Sequence, residues 1–88
     1  MYIHLGNNIM LPTNEIIGIF DIENTSISKR TRDFLSRAEK EGRVITISYD
    51  LPRSFVIAGK NNTDYKVYIS QISSSTLLKR TGYIDSLW

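Results

Sequence analysis

The segment Glu15 to Ile22, EIIGIFDI, sets apolar side chains on both faces of an extended chain, a severe demand in a protein of only 88 residues. Successive side chains of a strand point to opposite sides. Regular alternation would put Ile16, Phe20 and Ile22 on one face and Ile17 and Ile19 on the other. A strand of this kind belongs in a sheet covered on both sides, by the domain's own helix or by a neighbouring subunit. A chain this short sits near the lower limit for burying an adequate core alone, so self-association is expected to help.

The rest of the chain supplies the covers. Tyr2 to Leu5, Gly6-Asn7-Asn8 and Ile9 to Leu11 read as a tight hairpin, because Gly and Asn tolerate the positive φ that such turns require. Asn24 to Ser26 and Ser28 are candidate N-caps for a helix over about 28–41, with Ile27, Thr31, Phe34, Leu35 and Ala38 on one stripe and Gly42 ending it. Three β-rich runs follow, Val44 to Tyr49, Phe55 to Ala58 and Tyr65 to Ile72, and the short polar turns between them predict an antiparallel meander. Ser74 or Ser75 then caps a short helix over about 75–80, with Lys79 and Arg80 at its negative end. The expectation is one α+β domain over 1–88: a mostly antiparallel sheet, one main helix and a short C-terminal helix.

The inventory of side chains argues against an enzyme. His4 is the single histidine and there is no cysteine, so neither a thiolate metal site nor a Cys nucleophile can be proposed. Ser73 to Ser75 have no base nearby in sequence and a ready role as caps; Asp50 and Asp64 fall where turns use Asp. No phosphate loop, dinucleotide fingerprint or metal-ligand spacing occurs, and no cofactor, metal or small-molecule substrate is expected. The start MYIHLGNN lacks the basic and apolar regions of a signal peptide, and no apolar run reaches the roughly 18 residues of a membrane span. A soluble, cytoplasmic protein without a membrane partner is the expectation.

The net charge of +2 is small, but its distribution is uneven. Residues 1–28 carry three acids and no Lys or Arg, whereas 29–43 carry six bases against three acids. Such asymmetry makes a basic face on a nearly neutral protein. Within the helix, Lys29 and Asp33, and likewise Arg37 and Glu41, stand at the i, i+4 spacing of local ion pairs, which is also how a solvated helix is built. Its first turn, Lys29, Arg30 and Arg32, is the better candidate for phosphate contact. Arg53 differs in kind: in YDLPRSFVI it follows Pro52, which stiffens the turn, and its guanidinium fork suits phosphate oxygens or the guanine edge.

MYIHLG, TNEIIGIFD, the helix ending AEKEG before a strand, the PRS turn and SSSTLLKR, taken in this order, resemble the RemA/RemB family of bacterial extracellular-matrix regulators, on its RemB side, over about residues 2–80. The resemblance implies a DNA-binding transcriptional regulator of matrix and biofilm genes that acts as a ring-like or otherwise repeated homo-oligomer. Many weak basic sites set side by side would then act together through avidity. RemA-like members carry adjacent arginines in the turn that reads Asp50-Leu51-Pro52-Arg53 here, and an arginine ahead of the IIGIF strand where this chain has Asn14. The implied DNA-binding residues are therefore Arg53 and Asn14, beside the helix bases Lys29, Arg30 and Arg32. Asn14 can hydrogen-bond a phosphate but releases no counterion.

The competing reading is a protein-interaction or modulator module on the same scaffold with little DNA binding of its own, which Asn14, Glu15 and the acidic first third favour. A third, an RNA-binding sheet, needs paired exposed aromatics. Tyr65 and Tyr68 fall on opposite faces and do not supply them.

Overall fold

The structure is a computed structural model, and it describes residues 1–22 and 28–81. The chain runs β1 (Tyr2–Gly6), β2 (Ile9–Pro12), a 3-10 turn (Thr13–Glu15), β3 (Ile16–Asp21), α1 (Lys29–Lys40), β4 (Val44–Thr46), β5 (Ser54–Gly59), β6 (Tyr65–Ser70) and α2 (Ser74–Arg80). The first hairpin turns through Asn7 and Asn8, whose φ angles of 49° and 67° lie in the left-handed region that Asn tolerates better than most residues. Ser28 caps α1, its hydroxyl accepting from the amide of Thr31 at 3.1 Å. The other proposed caps, Asn24 to Ser26, and the stripe residue Ile27 lie outside the described residues. Gly42, with φ 74°, ends the helix, and the amide of Arg43 closes back on the carbonyl of Ala38 at 2.9 Å. The cap of α2 is Ser73 rather than Ser74 or Ser75; its hydroxyl accepts from the amide of Thr76.

A four-stranded sheet in the order β3-β5-β6-β4 forms the centre, and the two faces of this sheet hold separate apolar clusters. On one face Val56 packs with Ile3 and Leu5 of the hairpin and Leu77 of α2. On the other, Phe55 and Val67 pack with Ala38 of α1, flanked by Phe34 and Leu35. Both faces are thus covered, by the hairpin and α2 on one side and by α1 on the other. Tyr65 and Tyr68 do lie on opposite faces. Among the described residues, no helix is long and apolar enough to cross a membrane.

Two features depart from the sequence reading. The last three strands are not a meander: β4 pairs with β6, in parallel, and β5 lies beyond β6. Its burial explains the arrangement. Ser54, Phe55, Val56 and Ala58 are all buried, so β5 needs a strand on each side, and β3 and β6 provide them. The connection from Ile47 to Arg53 is accordingly a crossing, not a hairpin. It passes the end of β6, where Ile47 donates to Ile69 and Arg53 to Ser70 through their amides. The second departure is in β3, where Ile16 pairs with Ala58 and Gly18 with Ile57. Ile17 is the extra residue of a bulge, and a bulge reverses the alternation. Ile16 and Ile19 therefore share the hairpin-side cluster, while Phe20 stacks on Phe55 on the α1 side with ring centroids 4.9 Å apart. Ile17 is left 55% exposed on the edge strand.

Candidate nucleic-acid interface

Arg53 is held by its backbone on two sides. Its amide donates to the Ser70 carbonyl at 2.9 Å, and its carbonyl accepts from the Ile22 amide at 3.1 Å. The position is fixed at one end of the sheet, and the side chain is exposed. The crossing segment before it is pinned at its other end by the Ile47 amide on the Ile69 carbonyl, and within it the Asp50 amide donates to the Ser48 hydroxyl at 3.1 Å. Between these anchors Tyr49 is 98% exposed and Leu51 82%.

The first turn of α1 belongs to the same end of the molecule. Arg30 borders a shallow groove with Phe20, Phe55 and Phe34, and Phe55 is two residues from Arg53. Lys29, Arg30, Asp33 and Arg37 surround a wider concavity of about 680 Å³. Lys29 bridges to Asp33 at 3.2 Å, both well exposed, so this pair contributes little to stability. The second expected ion pair is replaced. Glu41 is the C-cap residue of α1 and bonds the Arg43 guanidinium at 2.8 Å instead of Arg37. That hydrogen bond holds the Arg43 pKa above its ordinary value, and the guanidinium also donates to the Tyr65 carbonyl and lies over the Tyr65 ring. Arg37 is left on the concavity. Its spacing of four and eight residues from Asp33 and Lys29 puts it on their side of the helix.

The proposed residues do not all converge. Arg53, Lys29 and Arg30 share one end of the sheet, but Arg32 falls nearly half a turn round α1 from Arg30. Asn14 sits exposed in the 3-10 turn before β3, whereas Arg53 bonds the residue just beyond that strand. The six residues of β3 separate them by roughly 20 Å. Asn14 and Arg53 are therefore two contacts, not one site, within a single copy. His4 is exposed on β1, and among the described residues no three His, Asp or Glu side chains come together as a metal site.

A different surface lies on the α1 face of the sheet. Ile17, Phe34, Ile57 and Tyr65 line a mostly apolar groove of about 450 Å³, with Lys60 and two asparagines at its rim. It exists because the bulge turns Ile17 to that side.

The fold is that of a small α+β domain with its main helix on one face of the sheet, and comparison with known proteins places it in a family. Residues 2–81 match the RemA-like family, described as extracellular matrix regulatory protein A-like, and the chain belongs to that family. It is 34% identical over 84 residues to extracellular matrix regulatory protein B of Bacillus subtilis (strain 168), covering 96% of this chain and 94% of that relative.

Proposed function

We propose that this chain is a cytoplasmic DNA-binding regulator of extracellular-matrix gene transcription that acts as a homo-oligomer, each copy contributing one weak basic site. The observation that carries the reading is the placement of Arg53. Its backbone is locked at the sheet end beside the first turn of α1, so ordering its side chain on a phosphate costs little further backbone entropy. The name of the Bacillus relative, a matrix regulatory protein, supports the regulatory half. A single copy with few bases binds DNA weakly, and repetition multiplies that affinity. No catalytic step, cofactor or metal enters this function.

Fluorescence anisotropy of a labelled duplex of mixed sequence, titrated at two salt concentrations beside a native mass measurement, tests it. Affinity should fall steeply with salt and the mass should be a multiple of the 10.1 kDa chain. A monomer with no salt-dependent binding would remove the proposal. The second reading, a protein-interaction module, is supported by the apolar groove at Ile17 and Tyr65, and it is favoured if an assembly forms but binds no duplex.

A further inference from the structure

The proposed function leaves Tyr49 and Leu51 without a role, although they are among the most exposed large apolar side chains of the protein, at 98% and 82%. Both ends of the loop are tied to the end of β6 through the amides of Ile47 and Arg53, and Pro52 has a fixed φ next to Leu51. The loop presents Tyr49, Leu51 and Pro52 to solvent between two anchored ends, with Arg53 at the second of them.

We infer that this projection is an apolar wedge for double-stranded DNA: Leu51 and Pro52 enter between base pairs from the minor groove while Arg53 holds an adjacent phosphate. The inference rests on the DNA-binding reading above and deepens it. Proteins that kink DNA insert Leu, Ile, Phe, Met or Pro side chains at a base step and recover the cost of unstacking through extra contacts along the bent duplex. Such a wedge needs exposed apolar side chains, a restrained backbone and a cation near the phosphates; the loop has Leu51 and Pro52 exposed, anchors at Ile47 and Arg53, and the Arg53 guanidinium. A wedge also gives each copy an interaction that does not depend on charge, suited to a subunit with few bases. Flexible pyrimidine–purine steps such as TA should be preferred, since they unstack most readily.

The test uses the full-length protein and a short duplex with a fluorescent adenine analogue in a central TA step and a dye at each end. Saturating wild-type protein should raise the analogue's fluorescence and bring the dyes closer. Leu51→Ala should lose most of both signals and bind about tenfold more weakly per engaged copy, with the salt dependence unchanged. Arg53→Ala should flatten the salt dependence yet retain the fluorescence rise at saturation. Circular dichroism of each variant establishes that the fold is intact, as expected for exposed loop positions. If wild type and Leu51→Ala bind with equal affinity and neither unstacks the step, the wedge is wrong and the DNA-binding reading stands. If wild type binds no duplex at all, both fall. If Leu51→Asp changes the native mass, the loop is a contact between copies and the wedge is overturned.

Discussion

The hydroxyl of Ser70, at the end of β6, donates to the carbonyl of Leu5 in β1 across 2.9 Å in the buried interior. It also accepts from the Ile72 amide at 3.0 Å, so one side chain ties the central sheet both to the hairpin and to the approach to α2. Ser54, equally buried and directly opposite Ser70 in the β5–β6 pairing, donates to the Ile72 carbonyl at 2.7 Å.

Ser70→Ala should therefore destabilise the protein by about 2–4 kcal/mol, because it leaves a buried carbonyl and a part-buried amide without their partner. Urea unfolding measures this. A loss below about 0.5 kcal/mol, the range of an ordinary surface change, would mean that the hairpin is not held through Ser70.

Ile17 and Ile19 should respond in opposite ways to aspartate. Ile19 packs into the hairpin-side cluster, so Ile19→Asp buries a charge and should prevent folding. Ile17 is exposed at the bulge, so Ile17→Asp should keep the circular dichroism of the fold and break up the proposed homo-oligomer. Light scattering that shows an unchanged mass for folded Ile17→Asp would place the contact between copies elsewhere.

Much of this fold was legible because local chemistry is local. Asn7 and Asn8 needed positive φ, Ser28 could cap, and the stripe through Phe34, Leu35 and Ala38 could face only one way. Strand partners were not legible. The residues of β4 and β6 read the same whether paired in parallel or not, and nothing in IIGIF marks Ile17 as the residue that slips out of register. The same limit applies to the site. Arg53 stood out through Pro52, but its separation from Asn14 depends on β3 lying between them, and the exposure of Leu51 depends on the loop being pinned at both ends.

Arg53→Ala should flatten the slope of log K against log salt by about one unit per contact, multiplied by the number of copies engaged. Asn14→Arg should tighten binding and steepen the slope, acting independently of Arg53 because β3 separates the two. Strong coupling between these substitutions on a short duplex, measured in the double variant, would contradict that separation.

Alkaline pH should weaken the fold through Tyr68. Burial, and secondarily the charge of Glu15, raise its folded pKa above the ordinary 10.0. The contribution is fully present below pH of about 10, where folded and unfolded chains both keep the proton. Above it the unfolded chain holds fewer protons than the folded one, and stability falls as pH rises towards the folded value. Urea midpoints of wild type and Tyr68→Phe should diverge between pH 9 and 11, roughly the window around the tyrosine range, with the variant declining less. Parallel curves would exclude Tyr68 as the source.

The placement of β6 between β5 and β4 has a consequence for how the chain is made. Leaving the ribosome in order, β4 emerges with no strand to pair with and β5 with one side open, until Tyr65 to Ser70 follow and fill the gap. The backbone edge of β5 that faces β6 stays open over that interval, and Leu77, which completes the hairpin-side cluster, comes later still. The sheet is completed from its middle by its last strand, so a nascent chain cut short before Tyr65 has no smaller version of this fold to adopt and exposes a sticky β5 instead.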